Sequence, residues 1–242
     1  MKAVILAAGR GSRLLPLTED RPKCLIDIGG KPFLRHQMDI FAECGIRDIG
    51  VVTGYRPDMV DEVIRDARAD GLNITNIYNP FFEVSDNLAS VWMAKEYFDQ
   101  DFILANGDTM FEAAIPKRLM SASEAAITVT IDIKDAYDAD DMKVQLQNGK
   151  VLAISKALDV NRVDGESIGL LRFVGPGPQI FWRAVNELLH RPEGLKSWFL
   201  RAVDDLAKSG MVSACSIEGK KWAEMDTVED VKNVERLFAP EN

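Results

Sequence analysis

The chain has little of what several large classes of protein depend on. Its 242 residues hold three cysteines, Cys24, Cys44 and Cys215, at spacings that match no zinc or disulfide framework. A sparse, odd count in a chain of this length suits a reducing compartment and core packing. There are two histidines, His36 and His190, both within predicted helices and without a recognisable partner, so both are expected to be structural. No apolar run reaches membrane-spanning length. No basic stretch followed by an apolar one opens the chain as a secretory leader would. Positive charge is in deficit, with 29 Lys and Arg against 38 Asp and Glu and a net charge of -9. Such an acidic protein suits neither nucleic acid nor an anionic membrane as partner. Internal repeats and low-complexity segments are also lacking. The expectation is a cytoplasmic protein that must meet any anionic ligand with a local basic pocket.

That pocket is legible at the start of the chain. Ala3-Val4-Ile5-Leu6 reads as a buried strand. Ala7-Ala8-Gly9-Arg10-Gly11-Ser12-Arg13 follows, where small residues bare the backbone so that its N–H groups can cradle phosphate oxygens. Arg13 and Lys23 bring a bidentate fork and a point charge to the same mouth. An ordinary strand-to-helix turn is the plain alternative. The dinucleotide fingerprint is excluded because Leu14 stands where its third glycine is required, and a P-loop is excluded because no G-K-[ST] follows.

Strands and helices then alternate. Helices are predicted over 33–44, 57–69 and 88–98, and strands over 46–53, 74–78 and 102–105. This argues an α/β fold, a Rossmann-like and mostly parallel central sheet flanked by helices. Ligands in such sheets bind beyond the carboxyl ends of the strands, where the glycine loop and Asn106-Gly107-Asp108 both fall. From Ala126 the pattern becomes more antiparallel, with alternation at 127–131 and 142–146 and a hairpin turn at Gln147-Asn148-Gly149-Lys150. Strands at 168–174 and 212–217 and helices at 178–190, 195–208 and 228–238 complete the chain. It is read as one domain, 1–242, with a nucleotide-binding half (1–125) and a smaller, partly antiparallel acceptor-binding half (126–242).

Ala7-Ala8-Gly9, Gly11-Ser12-Arg13, Pro16, Thr18 and Pro22-Lys23 resemble the A-A-G-x-G-[ST]-R-x-x-P-x-T…P-K signature of the nucleotidyltransferase family, which includes sugar-1-phosphate nucleotidyltransferases and phosphocholine cytidylyltransferases. The resemblance continues through Asn106-Gly107-Asp108 to Ala223-Glu224-Met225-Asp226. It implies transfer of a nucleotide from a triphosphate to a phosphorylated small molecule, with release of pyrophosphate. A phosphate oxygen is already nucleophilic at neutral pH, so the catalyst needs positioning and charge neutralisation rather than a base. The resemblance implies Mg²⁺ held by Asp108 and Asp226, with Glu224 behind them; the alternatives are a turn aspartate and a helix cap. Arg13 and Lys23 would neutralise pyrophosphate, while Lys31 reads as a turn lysine.

The nucleotide is expected to contact Leu6, Ala7, Ala8, Gly9, Gly11, Ser12, Arg13, Lys23, Gly107 and Asp108. Its base would be read by Asn87 and Ser90, although Ser85, Asp86 or Asn87 can equally cap a helix. Ser85-Asp86-Asn87-Leu88-Ala89-Ser90 replaces the glycine-rich segment usual in the sugar-phosphate enzymes and looks more like the phosphocholine cytidylyltransferase branch, favouring CTP. Lys156 stands where the resembled family places a lysine on the acceptor phosphate. Lys143, Glu166 and Trp222 are further acceptor-side candidates. A strand-surface charge is the alternative for Lys143, and core packing is the alternative for the tryptophans. The expected reaction is Mg²⁺-dependent CMP transfer from CTP to a small phosphorylated alcohol, phosphocholine-like, a phosphonate or a cyclitol phosphate. A sugar-1-phosphate uridylyl-, thymidylyl- or guanylyltransferase and a non-catalytic nucleotide-sensing subunit are the rivals. Partners are these small molecules alone, with homo-oligomerisation left open.

Overall fold

A computed structural model describes residues 1–122 and 125–239. The elements run β1 (Lys2–Ala7), β2 (Asp27–Ile28), β3 (Lys31–Pro32), α1 (Phe33–Glu43), β4 (Asp48–Thr53), α2 (Pro57–Ala69) and β5 (Asn73–Tyr78). They continue α3 (Asn87–Met93), β6 (Phe102–Asn106), β7 (Thr109–Phe111), α4 (Ala114–Met120), β8 (Ile127–Asp132), β9 (Lys143–Gln147) and β10 (Lys150–Ile154). The last are β11 (Gly165–Phe173), α5 (Gly177–Leu189), α6 (Phe199–Ala207), β12 (Val212–Ser216), β13 (Trp222–Glu224) and α7 (Val228–Phe238).

Nine strands form one sheet in the order β5-β4-β1-β6-β11-β8-β12-β10-β9. The α/β, Rossmann-like reading holds. β1, β4, β5 and β6 pair in parallel; the apolar runs of β1, β4 and β6 suit a sheet covered on both faces, while β5, at the edge, is partly exposed. The antiparallel character of the later strands extends this same sheet. β11 pairs antiparallel with both β6 and β8, and it stands between the early and late strands. Its nine residues are all buried. One apolar layer gathers Phe102, Phe173 and Phe181, with ring centroids at 4.7 and 4.3 Å in successive stacks. The opposite layer holds α1 and α2 through residues such as Leu34, Phe41, Val60 and Ile64.

The sheet's geometry sets up the site. β1 and β6 are parallel neighbours in register, Leu6 beside Asn106. The glycine loop and the Gly107-Asp108 turn therefore leave the sheet side by side. Gly107 donates its N–H to Leu6 O at 3.0 Å, and a Cβ on Gly107 would lie 2.4 Å from that same oxygen. Only glycine permits this approach. β7 and β13, three residues each, form a small antiparallel ribbon that places Thr109 opposite Glu224. Neither strand is visible in the sequence pattern. The ribbon brings the end of the chain to Asp108, and Met225 N–H donates to Asp108 O at 2.9 Å.

Candidate functional site

The glycine loop is rigid for reasons its composition supplies. Gly11 sits at φ 78°, a left-handed backbone that favours glycine, and an added Cβ would meet Lys23 Cβ at 2.8 Å. Thr18, fully buried, donates its hydroxyl to Gly11 O at 2.7 Å. Leu14 anchors the turn in a small core shared with Met225, Val231 and Val234. The loop and the last helix are thus packed against one another, which fixes Arg13 and Lys23 against Asp226.

Lys23 is the centre of the cluster. Its ammonium donates to Asp108 Oδ2 at 2.8 Å and to Asp226 Oδ1 at 2.5 Å, and Arg13 meets Asp226 Oδ2 at 2.9 Å. Burial would lower the lysine's affinity for its proton, but the two aspartates outweigh it and hold the pKa above the ordinary value. Burial likewise pushes the Asp226 carboxyl up; Lys23, then Arg13 and Lys156, overcome this and hold it below the usual range. Asp226 does not cap α7. Thr227 is the cap, in a reciprocal box with Asp230, and Asp230 also takes the Asp226 N–H. The carboxylate is left for the cluster. Glu224 stands beside this cluster on β13, where desolvation first, and Asp108 and Asp226 second, raise its carboxyl to about 8.

These residues fit a divalent cation. Asp108 Oδ1 is buried without a hydrogen-bond partner, and two carboxylates already share one cationic group. Among the described residues no group of three or more metal-ligating side chains is present. A two-carboxylate set leaves the rest of a coordination shell to phosphate oxygens and water, the usual arrangement for Mg²⁺ at a nucleotide.

A cavity of about 380 Å³ unites the parts. Every residue expected at the nucleotide lines it: Leu6 to Gly9, Gly11, Ser12, Arg13, Lys23, Asn87, Ser90, Gly107 and Asp108, together with Asp226. A Cβ on Gly9 would meet nothing within 4 Å, so the loop faces open space there. Cys24 also lines the cavity, but burial raises its thiol to about 12, which removes it as a nucleophile. Ser85 and Asp86, from the same segment as Asn87 and Ser90, and Trp198 line it too, as does Phe82, which the sequence missed. The sequence also missed Gln37, whose buried amide donates to Asn106 O and Thr109 O at 2.8 Å each and so clasps both ends of the Asp108 turn. The available signal was a polar residue on the apolar face formed by Leu34, Met38 and Phe41.

The acceptor-side expectations fare unevenly. Lys156 lines a second cavity whose wall, Trp198, is shared with the first, and its ammonium lies 4.9 Å from the Trp198 ring centroid. Lys143 is neither a surface charge nor a free ligand. It is 2% exposed, and its ammonium donates to the carbonyls of Lys156, Asp141 and Ala139 at 3.0, 3.4 and 3.5 Å. Trp222 donates its indole N–H to Asp132 at 2.8 Å and packs its ring on the core beside α1 and α2. The aromatic residue that lines both cavities is Trp198. The helix predicted from Leu195 begins at Phe199, leaving Trp198 extended and 45% exposed. His36 and His190 bond the backbone carbonyls of Ile28 and Asn186, and the three cysteines are free.

Glu166 is buried and pairs with Lys134 at 2.8 Å, which also binds Asp141. Burial, and a hydrogen bond shared with Asp141, push its carboxyl up to about 7 against the pull of Lys134. The folded state therefore binds an extra proton between the ordinary value of 4.5 and about 7, so stability falls as pH rises through that window. Glu166→Gln is expected to match the parent near pH 5 and to exceed it by roughly 2 kcal/mol at pH 8.5. Urea unfolding at the two pH values measures this; a difference independent of pH would refute it.

Comparison with known proteins gives the family. A family model described as nucleotidyl transferase matches residues 2–143. Over 126 residues, 52% of the chain, the sequence is 39% identical to the CMP-5'-(3-aminopropyl)phosphonate synthase of Streptomyces rubellomurinus, and it spans 20% of that protein's length. It is 26% identical to the CTP:phosphoglutamine cytidylyltransferase of Campylobacter jejuni over 96% of this chain and 98% of that one. The solved CTP:phosphocholine cytidylyltransferase of Streptococcus pneumoniae superposes with a TM-score of 0.79 at 24% identity, covering 97% of both chains, a likeness of fold. Among the described residues no helix is long and apolar enough to cross a membrane.

Proposed function

Because the chain belongs to the nucleotidyl transferase family, we propose that it transfers CMP from CTP to a small phosphorylated alcohol or phosphonate, with Mg²⁺ held by Asp108 and Asp226. An oxygen of the acceptor's phosphate or phosphonate forms a bond to the α-phosphorus. The bond from that phosphorus to the α–β bridging oxygen breaks, and pyrophosphate leaves with the electron pair. Bound Mg²⁺ would supply charge neutralisation at the phosphates. The glycine loop binds the triphosphate through bare amides, Lys23 and Arg13 offset the charge growing on pyrophosphate, and Lys156 steadies the incoming anion. The observation that carries this reading is the Lys23 ammonium bridging two aspartates from distant parts of the chain, within one cavity walled by the glycine loop. Two relatives named for CTP or CMP chemistry support cytidine as the nucleotide.

A pyrophosphate-release screen of CTP, UTP, dTTP and GTP against phosphocholine, 2-aminoethylphosphonate, inositol phosphate and glucose 1-phosphate tests the reading. Turnover is expected with CTP and one of the first three acceptors. Turnover confined to glucose 1-phosphate with UTP or dTTP would replace it with the sugar reading.

A further inference from the structure

We propose, on the premise that the site uses CTP, that Asp86 accepts a hydrogen bond from the exocyclic amine of cytosine and so selects that base, with Asn87 and Ser90 completing the edge. The cavity's lining carries its two cations, Arg13 and Lys23, in the cluster with Asp108 and Asp226. The wall made by Phe82, Ser85, Asp86, Asn87 and Ser90 has no cation and one carboxylate. That wall repels phosphate and suits an uncharged base. Phe82 gives it a flat apolar surface, with its ring centroid 6.5 Å from that of Tyr55.

The polar atoms of this wall are committed in a way that leaves a definite pattern. Asn87 Oδ1 accepts from Phe199 N–H at 2.9 Å, so its free polar group is the amide NH₂, a donor. Asn79 Oδ1 accepts from Phe81 N–H at 2.9 Å, which turns its NH₂ toward Ser90, and that NH₂ donates to Ser90 Oγ at 3.1 Å. The Ser90 hydroxyl hydrogen is then free to donate. Asp86 stands at the start of α3, but its side chain makes no capping bond and has no hydrogen-bond or ion-pair partner among the described residues. Ser85 donates its hydroxyl to Phe81 O at 2.7 Å, so its oxygen is left as an acceptor. The base wall therefore offers acceptors at Asp86 and Ser85 and donors at Asn87 and Ser90. Cytosine presents the complement, an amine donor at N4 followed by acceptors at N3 and O2. Uracil sets an acceptor, O4, against the Asp86 carboxylate and a donor, N3–H, against the wall's donors. Adenine repeats the donor and first acceptor of cytosine but has no counterpart of O2.

Equilibrium titration of the Mg²⁺-supplemented protein with CTP, UTP, dCTP and ATP tests this without requiring an acceptor. The parent is expected to favour CTP over both UTP and ATP. Asp86→Ala is expected to reduce the CTP/UTP affinity ratio by about tenfold or more, the scale of a lost charge-assisted hydrogen bond, and to leave the CTP/dCTP ratio unchanged. Asp86→Asn is close in shape and can turn either a carbonyl or an NH₂ to the base, so it should fall between the two and gain on UTP. An unchanged CTP/UTP ratio in both variants overturns the assignment alone, as does a change confined to CTP/dCTP, which would move Asp86 to the ribose. A parent that favours UTP overturns the cytidine reading and the edge with it.

Discussion

Asp108→Ala is expected to lower pyrophosphate release by about two to three orders of magnitude, the scale seen when a group aimed at developing charge is removed. Asp108 leaves the sheet on a turn held by Gln37, Gly107 and Met225, and one of its oxygens has no other partner. No neighbouring carboxylate can substitute without moving β7 or β13. The side chain is 30% exposed, and Lys23 keeps its contact with Asp226, so the fold should survive. Circular dichroism and urea unfolding alongside the kinetics separate loss of chemistry from loss of structure. A folded Asp108→Ala protein with parental turnover would remove the two-aspartate site from the reaction. Asp108→Asn keeps the shape and should be nearly as impaired, since the charge, not the volume, is what the site uses.

Lys23→Met should produce the second large effect, and it has a signature in stability as well as in rate. Replacing one partner of a mostly buried ionic cluster leaves the other charges uncompensated. Asp108 and Asp226 keep about a third of their side-chain surface in water, 30% and 31%, which softens that penalty. A loss of about 2 kcal/mol is the expected scale, below the full buried-pair figure for that reason. Added Mg²⁺ should restore much of it, because a divalent ion between the two carboxylates does electrostatically what the ammonium did. The parent should gain less from Mg²⁺, since Lys23 already occupies that position. Denaturation with and without Mg²⁺ reads this difference directly, and identical metal responses in parent and variant would contradict it. In turnover, the variant should show a raised KM for CTP together with a lowered kcat.

Much of this architecture is written in local pattern. Pro57 opening a helix and the spacing Met59, Val63, Ile64 define α2 without tertiary information, although the face the fold buries is Val60, Ile64 and Ala67. The glycine loop was legible because each residue has a separate reason to be there: Gly11 for its backbone angle, Thr18 for the bond to Gly11, Lys23 for the aspartates. What stayed hidden depends on partners distant in the chain. β7 and β13 are too short to show a period, so the ribbon joining Asp108 to Asp226 could not be read. Lys143 alternates like a surface strand residue, and only the fold reveals three carbonyls converging on its ammonium. Trp198 fits a helical spacing, but Asn87 takes the Phe199 N–H and the 195–197 segment bonds the start of α3. Those bonds hold Trp198 extended at the cavity mouth.

The nine-residue strand β11 carries one more implication. The family model ends at residue 143, and β11 begins at Gly165. Yet β11 covers the open flank of β6, whose next strand bears the glycine loop. The matched segment is therefore no portable cassette: severed after residue 143, it would carry a bare row of amides and carbonyls along β6, inviting another chain to zip on where its own later residues belong.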